Sequence, residues 1–169
     1  MHDLQESLSV VCCPATPALL EQIWARTIAR HPDDPRWEFW REEALLNNRT
    51  GRSQTFLVIA DGIPVGEGTL LFSPECGAIR GRTALADGKT VTNINALRIE
   101  KAYEGQGHIS RLVRLMEEAA RAQGYRRISI GVEEQELRNR AIYHHWGYRD
   151  LLFRELEDGE PVLYYEKKL

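Results

Sequence analysis

The chain has 169 residues, a hydrophobic fraction of 43%, a charged fraction of 28% and a formal net charge of −3. That length suits one domain, residues 1–169, whose single core buries roughly two thirds of the unfolded surface with no metal or disulfide to help. Acidic and basic residues are mixed, no basic stripe is laid out for nucleic acid, and no apolar run approaches a membrane span, so neither partner is expected. Cys12, Cys13 and Cys76 are odd in number, two are adjacent, and no C-x-x-C pair exists, which argues against a disulfide framework or a zinc site. Met1–Glu6 has no basic segment followed by an apolar one, so no leader is expected and a reducing cytoplasm fits best.

Ser7–Cys13 alternates and then turns apolar, which predicts a first strand. Thr16-Pro17 offers a hydroxyl N-cap and a proline in the first turn, and Leu19, Leu20, Ile23, Trp24, Thr27 and Ile28 follow at helical spacing. His31–Pro35 breaks that helix. Asp34-Pro35 opens a second helix, with Trp37, Trp40 and Ala44 on one face and an end near Asn47-Asn48. Phe56–Ala60 and Val65–Phe72 read as strands joined at Asp61-Gly62, a strong hairpin signal. Ser73–Lys89 is a long loop rich in Gly, Arg, Pro and Asp, a length that marks either mobility or binding. Thr90–Ile99 is a fourth strand, and Gly107–Gln123 a helix whose buried stripe is Ile109, Leu112, Val113, Met116 and Ala120, with Gly124 as its stop. A strand at Arg127–Val132, a helix at Gln135–Trp146 closed by Gly147, and a hairpin of Leu151–Leu156 and Val162–Tyr165 about Asp158-Gly159 complete the chain. The strands come first as a meander and then alternate with helices. The expected fold class is therefore α/β, with a mixed, mostly antiparallel central sheet flanked by helices.

Residues 96–110 run from strand through a glycine-rich turn into a helix. Such a turn leaves backbone N–H groups unpaired at the helix start, where the dipole also favours an anion, and a pyrophosphate suits it. Gly105 and Gly107 remove side chains that would block a close approach. Taken alone, Gly-x-Gly is equally well a plain tight turn.

The wider context resembles the GCN5-related N-acetyltransferase (GNAT) family. Its signature is Val-x-Pro-x-Tyr-Arg-Gly-x-Gly-x-Gly before an apolar helix, followed later by a strand, an Asn-bearing helix and Tyr-x-x-x-Gly-Phe. This chain reads Ile99-Glu-Lys-Ala-Tyr103-Glu104-Gly105-Gln106-Gly107-His108-Ile109, then Asn139-Arg-Ala-Ile-Tyr143-His-His-Trp-Gly147-Tyr148. The resemblance spans Thr90–Tyr148 and implies a fold of the acyl-CoA N-acyltransferase type with acetyl-CoA as co-substrate. It implies that the strand before the turn splays from its neighbour, so that the backbone of Leu97, Arg98 and Ile99 pairs with the pantetheine arm. Gly105, Gln106, Gly107, His108, Ile109 and Ser110 would wrap the pyrophosphate, with Asn139 a further cofactor contact. Glu104 stands where the family often has Arg or Gln, and Ile109 where it has a small residue; Arg111 or Lys101 would then supply the missing charge.

By the same resemblance Tyr143 is the acid that protonates the departing thiolate, a role suited to a phenol with an ordinary pKa of about 10. The family's strand-four glutamate falls at Asn93 here, and an amide takes no proton. Glu133 and Glu134, after the fifth strand, are the remaining candidates for the base, or else an exposed acidic helix start. Asn93 and Asn95 share a strand face and are candidates to line the acceptor pocket. Trp37 and Trp40 are too, although core packing is the commoner fate of such tryptophans. Asp33, Asp34, Glu38, Glu42 and Glu43 make that second helix acidic, which suits a cationic amine as well as plain solvation. The expected activity is acetyl transfer from acetyl-CoA to a primary amine of a small molecule, with no metal, in a chain expected to form a homodimer. A CoA-binding domain without turnover, and transfer of a longer acyl group, are the alternatives.

Overall fold

The computed structural model describes residues 9–169; Ser7 and Leu8 of the first expected strand, and the segment Met1–Glu6, lie outside the described residues. Among those described, seven strands form one sheet in the order β1-β2-β3-β4-β5-β7-β6. They are β1 (Val10–Pro14), β2 (Ser53–Ala60), β3 (Ile63–Leu71), β4 (Val91–Ile99), β5 (Arg127–Glu133), β6 (Asp150–Glu157) and β7 (Glu160–Lys168), with helices α1 (Pro17–Ala29), α2 (Arg36–Thr50), α3 (His108–Ala122) and α4 (Leu137–His145). Only β4 and β5 run parallel; every other neighbouring pair is antiparallel.

Local chemistry sets the boundaries. Thr16 caps α1, its hydroxyl accepting from Leu19 N–H at 3.3 Å. The Asp61-Gly62 turn takes φ values of 49° and 80°, the left-handed pair a tight hairpin needs. The second helix runs past its expected end at Asn47-Asn48. Both side chains leave the helix pattern: Asn47 is buried, and the Asn48 amide bridges the Ala44 carbonyl to Thr55 on β2. The stop is Gly51, at φ 77°. Strand β2 also begins earlier than expected, because Ser53, Gln54 and Thr55 pair with Leu71, Leu70 and Thr69.

One face of the sheet packs on α3. Leu112, Val113, Met116 and Ala120 are each at most 1% exposed and meet Phe56, Val58, Leu70, Ile94, Ile128 and Ile130. Tyr143 and Trp146 of α4 pack on the same cluster. The other face takes α1, through Leu20, Ile23 and Trp24 on Leu57 and Ile59. The loop 73–89 carries a small core of its own, in which Cys76, Ile79, Leu85 and Ala86 are buried against Leu71, Val162 and Tyr164. Arg82 ties it to β6 by ion pairs to Glu155 and to Glu157 (2.7 Å).

Candidate active site

Strand β4 pairs with β5 only from Val91↔Arg127 to Ile94↔Ile130. Beyond that point β5 continues to Glu133 against β7, and β4 continues to Ile99 against β3. The two parallel strands diverge into a V, and one backbone edge of β4 from Asn95 to Ile99 faces the gap. Backbone N–H and C=O groups need partners, so this edge is built to bond something other than the sheet.

A bulge starts the divergence. Ala96 and Leu97 together stand opposite Gly68, so β4 has one extra residue there, and Ala96 takes φ 57°. A bulge of this kind bends its strand. Gly68 allows it: a Cβ there would lie 2.8 Å from Leu97 Cδ2 and 2.9 Å from Met116 Sδ.

Three cavities meet at Asn95–Arg98. A cleft of about 540 Å³ lies on one side of the V, lined by Leu97, Arg98 and Ile99, by Gly105 and Ile109 of the turn, and by Asn139 and Tyr143 of α4. A pocket of about 250 Å³ continues past the V between Asn93, Asn95, Glu133, Tyr143 and Tyr164. A third, of about 330 Å³, holds Trp37, Trp40, Glu43, Asn95 and Arg98. Leu97 and Tyr143 line both the first and the second, so Tyr143 stands at the gate between them.

At the foot of the cleft the turn is open. Gly105 and Gly107 take φ values of 72° and 81°, and a Cβ would meet nothing within 4 Å at the first and only Arg111 Nη1, at 3.9 Å, at the second. The first backbone bond of α3 runs from Arg111 N–H to the Gly107 carbonyl at 3.1 Å, so the N–H groups of His108, Ile109 and Ser110 have no intrahelical partner.

The model of the acetyltransferase (GNAT) family matches residues 16–148. The chain belongs to the GNAT family. It is thus an acetyltransferase of the acetyl-CoA-dependent class, and its sheet is the acyl-CoA N-acyltransferase fold. An N-acetyltransferase from Staphylococcus aureus Mu50 superposes with a TM-score of 0.69 at 13% identity, covering 95% of this chain and 98% of that one. An acetyltransferase from Salmonella typhimurium that modifies the N-terminal serine of ribosomal protein L7/L12 gives 0.68 at 14% identity, covering 96% of each chain. The PaiA N-acetyltransferase of Thermoplasma acidophilum, in complex with coenzyme A, gives 0.64 at 16% identity, covering 95% and 99%. A comparison with curated protein sequences finds no match.

Within this GNAT fold the expected residues divide. Burial, then the charge of Glu136, raises the Tyr143 pKa above the ordinary phenol value, so the phenol holds its proton at neutral pH; its ring stacks on Trp146 with centroids 5.6 Å apart. Asn139 lines the cleft, but its amide donates to Glu136 Oε2 at 2.6 Å. Glu133 and Glu134 part company: Glu133 lines the pocket beside Tyr143, whereas Glu134 turns out to an ion pair with Arg154 at 3.1 Å. Asn93 is buried with its amide donating to Ser129 Oγ at 2.8 Å, so its polar group is committed to the sheet, while Asn95 is exposed where two pockets join. Trp37 stacks on His31 (4.4 Å) and under the Arg98 guanidinium (4.9 Å). Trp40 does not share Trp37's packing; it is 39% exposed and edges onto Phe39.

Two features escaped the sequence reading. The Arg98 side chain leaves the V and is held between Trp24 and Trp37, donating to the buried Glu67 at 2.6 Å. Glu67 sits in a β3 run of apolar and small residues, and a carboxylate there is a local signal for a paired charge. Tyr164 covers the pocket floor with its hydroxyl bonded to Glu157; burial and that carboxylate push its pKa up to about 12. Its glycine partner, Gly131, was the available clue, since a Cβ there would lie 2.7 Å from the Tyr164 ring.

Proposed function

We propose that the V between β4 and β5 binds acetyl-CoA and that the chain transfers its acetyl group to the primary amine of a small cationic molecule. The observation that carries this reading is the end of β4–β5 pairing at Ile94↔Ile130, with Tyr143 lining the cavities on both sides of the gap. The residues at hand fit the co-substrate. The turn supplies free N–H groups, two glycines with open space above them and Arg111 beside them, which suits a pyrophosphate. The free edge of Leu97, Arg98 and Ile99 suits the amides of a pantetheine arm. Neither Lys101 nor Arg111 lines the cleft itself, but Arg111 Nη1 stands beside Gly107 of the turn, so Arg111 is the better source of charge.

The amine nitrogen attacks the thioester carbonyl carbon, forming the C–N bond while negative charge gathers on the carbonyl oxygen. Backbone N–H groups on the open edge of β4 stabilise that charge. Glu133 takes the proton that the amine loses. The C–S bond breaks, and Tyr143 gives its proton to the departing thiolate, so amide and free thiol leave neutral. Most of the acceleration comes from holding two substrates in one cleft.

The acceptor side favours a cation. Among the described residues Arg98 is matched by Glu67, Arg36 by Asp34 and Arg82 by Glu155 and Glu157, while Glu43 and Glu133 line the two acceptor pockets without a cationic partner. Pockets of about 330 and 250 Å³ suit a small molecule in place of a protein terminus. We also propose a cytoplasmic homodimer, joined along the edge strand β6, where Leu151 and Leu156 are exposed.

Thiol release measured over a panel of amines tests the reading. Turnover is expected with amines that carry a second positive group, and slower turnover with amines that carry a carboxylate. Acetyl-CoA binding with no turnover on any cationic amine would overturn it in favour of a domain that only binds CoA.

A further inference from the structure

The turn before α3 is braced by side chains that run out from one buried histidine. His108 is 6% exposed. Its carbonyl receives the Cys12 thiol of β1 at 3.9 Å, and the Tyr103 ring lies beside its own, with centroids 6.4 Å apart. Arg111 Nη2 bonds His108 Nδ1, His108 Nε2 lies 3.1 Å from Gln106 Oε1, and Gln106 Nε2 donates to the Ala102 carbonyl at 3.2 Å.

A guanidinium has only donors, so Nδ1 is an acceptor and carries no proton. The one ring proton is then on Nε2, where it donates to Gln106. The imidazole is neutral, and the relay runs in a single sense from Arg111 through His108 and Gln106 to Ala102. It has one further consequence. While Nη2 is anchored on the ring, Arg111 Nη1 stands 3.9 Å from where a Gly107 Cβ would be, over the turn. Glu104, on the other side of Gly105, lines the cleft and brings negative charge to the turn, against which Arg111 supplies positive charge at Gly107.

We propose that neutral His108 is a positioning residue that aims Arg111 at the phosphates of the coenzyme, so that coenzyme binding weakens when His108 takes up a proton. The proposal rests on the reading of the turn as the pyrophosphate site. A protonated ring has two donors and no acceptor; it releases Arg111 and repels it. The titratable groups around the ring are Arg111 on α3, the Cys12 thiol on β1 and the Tyr103 phenol, and among the described contacts none is a carboxylate that would hold the cation. Burial first, and the Arg111 charge second, keep the His108 pKa below its ordinary value, so the weakening falls on the acid side of about 6.5.

Calorimetric titration with dephospho-CoA from pH 8 to pH 5 tests this. That probe keeps the pyrophosphate and lacks the monoester phosphate, which itself titrates near pH 6. The wild-type Kd should be flat above about pH 7 and rise roughly tenfold at the acid end, the worth of one hydrogen bond to a charged group. His108→Asn keeps an acceptor for Arg111 and cannot titrate, so its Kd should stay flat from pH 8 to pH 5. Arg111→Ala, at an exposed position that leaves the core intact, should bind roughly tenfold more weakly than wild type at pH 8 and approach the wild-type value at pH 5. The same profile for wild type and His108→Asn, tighter wild-type binding in acid, or wild-type affinity in Arg111→Ala at pH 8 would each overturn the proposal. Failure of the wild type to bind the probe even at pH 8 would instead remove the coenzyme reading itself, and this inference with it.

Discussion

The two halves of β4 have opposite surroundings. Val91–Ile94 is paired with β5 throughout, with β3 as well at Asn93 and Ile94, and is at most 3% exposed; Asn95–Ile99 is bonded on one side, bulged and partly open. Polar groups in the closed half are spent on neighbours: Thr92 donates to the Leu71 carbonyl at 2.8 Å, Asn93 to Ser129, and Ser129 to the Leu85 carbonyl at 2.7 Å. In the open half the backbone itself is left over. Two asparagines two residues apart therefore have opposite fates, Asn93 as a brace and Asn95 as pocket wall. One strand can anchor a fold and serve a ligand when pairing is stopped partway, and here the stop is a single inserted residue over Gly68.

The sharpest way to break this division is to remove chemistry from the open half and leave the closed half alone. Tyr143→Phe should lower kcat by roughly 10²–10⁴, the range of general acid catalysis, with acetyl-CoA affinity unchanged in a thermal-shift titration. Because the phenol pKa is raised, the alkaline fall of kcat with pH should lie above about 10. Glu133→Gln should cost roughly 10²-fold in kcat, while Glu134→Gln, which loses only an exposed ion pair with Arg154, should leave kcat in place and cost at most about 1 kcal/mol. Steady-state assays of the two side by side separate the pocket carboxylate from the outer one.

Gly68→Ala attacks the division itself. Its Cβ would crowd Leu97 and Met116, so a loss of about 1–3 kcal/mol is expected in denaturant unfolding, together with weaker acetyl-CoA binding as Leu97 is displaced. The smallest effect is assigned to the loop beside the closed half. Burial alone would raise the Asp87 pKa, but the hydroxyl and N–H of Thr90 and the N–H groups of Val91 and Lys89 outweigh it and hold the carboxyl well below the usual range. With the folded pKa depressed, the contribution is full above the unfolded value of about 3.9 and is lost as pH falls through the folded one. Asp87→Asn should thus lower Tm at pH 7, by roughly 1 kcal/mol of stability, and the gap to wild type should narrow below about pH 4.

The sequence made the closed half legible and left much of the open half hidden. The α3 stripe and the hairpin at Asp61-Gly62 follow from periodicity and turn chemistry; Leu112, Val113, Met116 and Ala120 are buried as expected, while Ile109, the first of that stripe, is half-buried and lines the cleft. The positions of Gly105 and Gly107 were readable, because only glycine takes those φ values freely. The bulge was not, since nothing local marks Ala96 for a positive φ; the trace lies in a different strand, in Gly68. Asn47-Asn48 misled for a related reason: their amides look like a helix stop, but Asn48 bonds Thr55 on β2, a partner that only the tertiary fold supplies. The loop 73–89 looked polar, and its four buried apolar residues are too scattered to show a period.

Hydrogen exchange with and without acetyl-CoA tests the division of β4 most directly. Amides at 91–94 should be slow in both states, and those at 95–99 and 105–110 should be fast alone and become protected at saturating acetyl-CoA. Protection confined to other segments, or no change at 95–99 under saturation, would contradict the account of the open half as the coenzyme's binding edge.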